Sequence, residues 1–222
     1  MAMARMVDET ASPRNDAGRG PKGGDMPDRR QVLGGLAAAL LPLPAHAAVL
    51  GSATVVQGRA TLSRGQGDLM LTVGEALHEG DLVRTADASR AELLLTTETH
   101  ITLGAGAELL VERYLADIGG RLVVGGPMVF DRPGSLPKVD LTIVTAFGEI
   151  GVRGTRFFAG PSNGVFAVFV QRGAVEVMAQ GQTRRLGPGD GVNLPEGAPP
   201  GEVVQWGVPR ILAAFASVGL VP

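Results

Sequence analysis

The stretch "GEIGVRGTRFFAG", Gly148 to Gly160, decides how this chain is read. It packs two arginines, a threonine and four glycines between the apolar runs "LTIVT", 141–145, and "VFAVFV", 165–170. Runs this short, rich in β-branched and aromatic residues and bounded by turn residues, predict strands rather than helix. The knot therefore joins one strand to the next. Gly154 allows the backbone to bend or to approach another segment closely, as at a bulge. Arg153 offers five donors in a rigid fork, enough to tie down several carbonyls or one carboxylate, so it is expected to staple the turn.

Outward from the knot the pattern repeats. "ATVVQ", "ATLSR", "DLVRT", "AELLL", "HITLG", "RLVVG" and "AVEVMA" are further short runs, several alternating apolar with polar, and turns containing glycine separate them. Thirty-three glycines and fifteen prolines in 222 residues agree. The expected fold class is all-β: many short strands in a solenoid-like or roll/sandwich arrangement, plus one short C-terminal helix. Leu77 to Val83, "LHEGDLV", resembles Leu186 to Val192, "LGPGDGV". In both, glycine (Gly80, Gly189) supplies positive φ and aspartate (Asp81, Asp190) bonds neighbouring amides, a structural turn that hints at an internal duplication. Residues 125–140, "GGPMVFDRPGSLPKVD", are expected to form a long surface loop. In the tail, Pro209 opens a helix on which Ile211, Leu212, Phe215 and Val218 recur at helical spacing and pack on the domain.

The N-terminus carries the compartment. Residues 1–25 are polar and without apolar period, and are read as a disordered extension, with Met26 as an alternative start. Residues 26–47 follow the order of a signal peptide: paired Arg29 and Arg30, an apolar run from Val32 to Leu43, then Ala45-His46-Ala47 as the cleavage site. The run is well short of the roughly 20 residues that span a bilayer, so no permanent membrane anchor is expected. The arginine pair resembles a twin-arginine signal, with Asp28 where that signal has serine, and Sec export fits as well. The expected product is a periplasmic protein cleaved near Ala47, with a β domain over 48–195 and a loop and short helix over 196–222.

Composition narrows the function. Beyond Ala47 the chain has 14 Lys and Arg against 17 Asp and Glu, a net charge of −3, which lacks the basic footprint nucleic acid demands. With no cysteine there is no disulfide, thiolate site or cysteine nucleophile. His78 and His100 stand 22 positions apart without ligand-spaced partners, so no metal is expected. Glu75 with Glu79, and Asp81 with Asp87, are read as solvent-facing acids in turns. Gly160 to Gly164, "GPSNG", matches the G-x-S-x-G nucleophile elbow, but strand rather than helix follows Ser162, and Asn163-Gly164 favours a hairpin turn. Trp206 and Tyr114 are single aromatics, not a stacking platform.

"VRGTRF", preceded by "TIVTAFGEIG" and followed by "VFAVFVQRGAVEV", resembles the signature of the FecR periplasmic domain family. "GSATVVQGRATL", "GEALHEGDLVRTADASRAELLL" and "ITLGAGAELLV" are similar to its other motifs, in order, across roughly residues 50–194. Where that family has an Asp-Gly-Ser turn, this chain has Thr97-Glu98-Thr99. Regulators of this type also carry an anti-sigma segment, a membrane helix and a further C-terminal domain; with 25 residues before the signal and a short tail, the expectation here is the sensor domain alone.

The resemblance implies a binding or signalling module in the cell envelope, not an enzyme and with no cofactor, with an envelope protein or polymer as partner and no nucleic acid. Gly151 and Gly154 would shape the signature turn. Arg153, Thr155 and Arg156 would be the ligand-binding residues, with the loop 125–140 beside them. Two alternatives stand beside it: a periplasmic hydrolase using Ser162, and a structural subunit of an envelope assembly. The oligomeric state is left open.

Overall fold

The computed structural model describes residues 48–222 except 97, 116, 117 and 138. The expectations for residues 1–25 and 26–47, including Arg29, Arg30, Ala45 and Ala47, lie outside the described residues. Those described form strands β1 (Gly51–Gln57), β2 (Ala60–Arg64), β3 (Gly67–Met70), β4 (Ala76–Leu77), β5 (Leu82–Thr85), β6 (Arg90–Leu95), β7 (Thr99–Leu103), β8 (Glu108–Leu115) and β9 (Gly119–Gly125). They continue as β10 (Met128–Asp131), β11 (Asp140–Thr145), β12 (Gly148–Val152), β13 (Arg156–Ser162), β14 (Val165–Arg172), β15 (Val175–Ala179), β16 (Gln182–Leu186), β17 (Asp190–Leu194), β18 (Val204–Gln205) and the helix α1 (Val208–Ala216). The described residues are all-β apart from this one short helix.

The strands make two nine-stranded sheets. Sheet A runs β18-β17-β14-β13-β10-β7-β6-β1-β4 and sheet B runs β16-β15-β12-β11-β9-β8-β5-β2-β3. Alternation builds them: in β15, Val175, Val177 and Ala179 are buried while Glu176 and Met178 are exposed. The inner faces share one core, with Leu62, Val83, Leu109, Ile143 and Val177 from sheet B meeting Leu93, Ile101, Phe130, Phe157 and Val168 from sheet A. Each such side chain, fully buried, contributes about 1.5–3 kcal/mol. The chain passes back and forth between the sheets, usually as hairpins. β9 and β11 pair in parallel because β10 returns through sheet A between them, doing the work a crossover helix does elsewhere.

Strands β13 and β14 are buried on both faces. Their outward residues Val129, Phe158, Ala167 and Phe169, the first from β10, form a second cluster with Trp206, Ala214, Phe215 and Val218. This explains why "RFFAG" and "VFAVFV" read as continuous apolar runs. Trp206 and Tyr114 are both buried, and the Trp206 ring stacks on Phe169 at 5.0 Å. On α1, Phe215 and the following Val218 are buried as the periodicity predicts, but Leu212 faces solvent.

Two expectations are corrected. Residues 125–140 are not one surface loop: Met128, Val129 and Phe130 are buried in β10, an apolar strand hidden in sequence by its proline and glycine flanks. The Gly-Asp segments are corners where the chain switches sheets, and a third copy was missed: Leu71 to Leu77, "LTVGEAL". The N–H groups of Gly74, Gly80 and Gly189 donate at 2.8 Å to the carbonyls of Ala53, Val111 and Val170, and the acid that follows bonds back three residues at 3.1–3.2 Å. Flanking Leu71, Leu77, Val83, Leu186 and Val192 are all buried. The counterpart of Leu186–Val192 is Leu71–Leu77, because β1 to β4 and β14 to β17 follow one path: a strand in A, a hairpin in B, and a return strand in A.

Candidate interaction site

The signature turn leaves sheet B at Val152 and enters sheet A at Arg156. Gly154 sits at φ +64°, and its carbonyl would lie 2.6 Å from a Cβ at Gly173. The glycine in "VQRGAVEV" is thus required by the backbone of the signature packed on it, which ties the two motifs together physically. Thr155 is fully buried. Its carbonyl accepts from the Arg132 backbone N–H at 3.0 Å.

The staple is Arg132, not Arg153. The Arg132 side chain is buried, and its guanidinium donates to Thr99 Oγ1 at 3.0 Å and to the Pro137 carbonyl at 2.9 Å. Arg172 adds a second tie, donating to Asp131 Oδ1 at 2.7 Å and to the Arg132 carbonyl at 3.1 Å. Arg156 serves the C-terminus, with its guanidinium 5.5 Å from the Phe215 ring and its Nε 3.7 Å from Asp131 Oδ2. Arg153 points to solvent: its side chain is 69% exposed, and its Nε lies 3.8 Å from Asp140, itself 86% exposed. Of the three residues expected to bind, Thr155 and Arg156 are engaged within the fold and Arg153 projects into solvent.

Beside Arg153 the outer face of sheet B is indented. A cleft of about 810 Å³ is lined by Asp140, Thr142, Gly151, Arg153, Glu176 and Arg185, among others. Register aligns Thr142, Gly151, Glu176 and Arg185 in one row across β11, β12, β15 and β16. The dent is Gly151, where an added Cβ would meet nothing nearer than the Glu176 carbonyl at 3.7 Å. Arg185 donates to Glu176 Oε1 through Nε at 2.8 Å and Nη2 at 2.6 Å. A polar row with one acid–base pair beside a glycine notch suits an extended chain with polar side groups, and Arg153 can add a two-pronged contact to a carboxylate.

The other sequence candidates have structural neighbours. Asp81 is buried, not solvent-facing: both its oxygens accept from Arg64 at 2.8 Å, and Oδ2 also accepts the His78 backbone N–H at 2.7 Å. The hydrogen bonding of Arg64 to Asp81 is the main cause raising the Arg64 guanidinium above its ordinary pKa. Asp190 accepts the Gly187 N–H at 2.8 Å and Gln205 Nε2 at 2.5 Å. Ser162 ends a hairpin whose Asn163 and Gly164 both have positive φ. Its Oγ accepts from Arg210 Nε at 3.0 Å, and a guanidinium cannot take the proton a nucleophilic serine must lose. Arg210 lies 3.8 Å over the Trp206 ring, and burial lowers its pKa. His78 approaches Asp81 at 3.7 Å, while His100 is exposed on β7. Among the described residues no three His, Cys, Asp or Glu gather to hold a metal. No helix among them is long and apolar enough to cross a membrane. Glu98 takes a positive φ of 53°, in the turn where the resembled family has Asp-Gly-Ser.

Residues 81–176 match the family model described as FecR protein. No curated protein matches the sequence. Among solved structures, the chain is similar to a crystal structure of a candidate anti-sigma factor from Parabacteroides distasonis, with 18% identity and a TM-score of 0.49 over 62% of this chain and 65% of that one. A second crystal structure of the same description and organism gives 18% identity and a TM-score of 0.48 over 60% of this chain and 62% of that one. The match thus spans somewhat less than two thirds of those chains. The span 81–176, which contains the buried Asp81, the staple Arg132, the signature turn and Gly173, is the part of the chain that matches the FecR family model.

Proposed function

We propose that this protein is an exported, non-catalytic sensor or regulatory module of the cell envelope that works by binding another protein through the cleft beside Arg153. One observation carries this. Around the signature, Arg132, Thr155, Arg156 and Arg172 are committed to the fold, whereas Arg153 projects into solvent next to a glycine-floored cleft. A charged side chain that the turn does not need, carried on a turn whose neighbours are tied down by Arg132 and Arg172, is the arrangement expected of a contact residue. The FecR match supports a sensor or regulatory role and protein partners rather than nucleic acid. Export to the periplasm rests on the Arg29-Arg30 pair and the small residues Ala45 and Ala47.

The test is crosslinking in living cells, from a photo-reactive residue in place of Arg185, which lines the cleft and is exposed. The expected result is one dominant envelope protein, lost when Arg153→Glu is added without a change in melting temperature. Crosslinking that is indifferent to Arg153→Glu would remove the cleft from the mechanism. If the chain were instead a hydrolase, a serine-reactive phosphonate would label it and Ser162→Ala would abolish that label.

A further inference from the structure

Four strand edges bound the two sheets among the described residues. In sheet A they are β4 and β18, each two residues long and too short to template another strand. In sheet B they are β16 and β3, and these differ. On β16, register sets Arg184 opposite the buried Val177, so a charge stands on the core-facing side of the edge. Arg184 Nε donates to the Gly201 carbonyl at 3.3 Å. An inward-pointing charge on an edge is a device against sheet extension.

β3 has no such guard. All four of its residues are exposed. Leu69 stands opposite the buried Leu62, the place Arg184 takes on β16, and is 44% exposed. Met70 is 56% exposed and nearby Val73 64%. The single charge, Asp68, is turned back onto β2, where it accepts from Ser63 Oγ at 2.5 Å. Nothing on this edge repels an incoming strand.

We propose that β3 is a dimerisation edge, pairing antiparallel with β3 of a second copy about a two-fold axis at Leu69 and joining the two B sheets into one. Side chains opposed across a ladder share a face, so a symmetric pairing must centre on one residue. Centring on Asp68 opposes two carboxylates, which is unfavourable. Centring on Met70 draws the corner residues Leu71 and Thr72 into the ladder, where Leu71 already donates its N–H to Ala60 and the chain turns away. Centring on Leu69 sets leucine against leucine over the exposed end of the core and Asp68 against Met70, with no like charges facing. The occupant is a second copy because the strand is complementary to itself in that register. The guarded β16 forbids head-to-tail stacking, so association closes at two.

This inference is independent of the cleft. Because the chain has no cysteine, Leu69→Cys introduces a single thiol. Opposed Cβ atoms in an antiparallel pair lie about 4.5–5.5 Å apart, near the reach of a disulfide. Under mild oxidation the Leu69→Cys protein is expected to form a covalent dimer, while Thr183→Cys on β16 stays monomeric. In sedimentation the unmodified protein is expected at twice the chain mass, and Leu69→Lys at the chain mass with an unchanged melting temperature. A protein that sediments as a monomer across concentrations overturns the proposal. So does a dimer that survives Leu69→Lys, or equal crosslinking at both edges.

Discussion

The two ends of the sandwich are built by the same four-strand path and finished differently. At the N-terminal end, β1 to β4 leave an apolar edge, and the corner behind it is secured by the buried Asp81 and Arg64. At the C-terminal end, β14 to β17 carry an arginine on the inner side of the sheet B edge, β18 closes the edge of sheet A, and Trp206 and α1 are laid over the outer face of sheet A. The topology is repeated but the edge chemistry is not. A path between sheets is set by where the leucines and glycines of the corners fall. What an end does is set by one or two side chains on its outermost strand.

Five substitutions would break or sharpen this contrast. The largest effect is expected at Phe215, fully buried under the C-terminal end: Phe215→Ala should cost about 3–5 kcal/mol in urea unfolding. A loss near that of a surface site would mean that α1 does not close this end. Next are the two corners. Asp81→Ala removes a carboxylate bonded to a guanidinium and a backbone amide and should cost about 1.5–3 kcal/mol, while Asp190→Ala, partly exposed, should cost about 0.5–1.5 kcal/mol. Equal losses would erase the difference between the corners. Arg210→Ala takes the cation from over Trp206 and should cost about 1–2 kcal/mol, read by thermal melting at fixed pH. The smallest effect lies between the ends. Glu98→Gly should stabilise by about 0.5–1 kcal/mol, the relief of a positive φ net of added chain entropy, and a loss would show that the Glu98 side chain is needed there.

Much of the fold was legible from period two and from turn residues, because inward positions such as Val175 and Val177 must be apolar whatever their partners. The corner motif was half legible: Asp81 and Asp190 stand out, whereas Glu75 in the equivalent corner does not, since its identity as a corner depends on β1 lying alongside. β10 escapes a sequence reading because its buried run is three residues long between turn-forming flanks. At the site, the signature named the place but not the roles. Sequence shows that an arginine is present, not which way it points, and Arg132, 21 positions before Arg153, reaches the turn only through the pairing of β10 with β13. The edge guard Arg184 was equally invisible, because its meaning depends on facing Val177.

The most direct test of the contrast between the ends is sedimentation velocity of the Arg184→Leu protein beside the unmodified one, over the same concentration range. Removing the guard leaves both edges of sheet B open, so Arg184→Leu should form species larger than a dimer while the unmodified protein stops at two. Identical mass distributions for the two proteins would contradict the claim that edge chemistry decides what each end of the sandwich does.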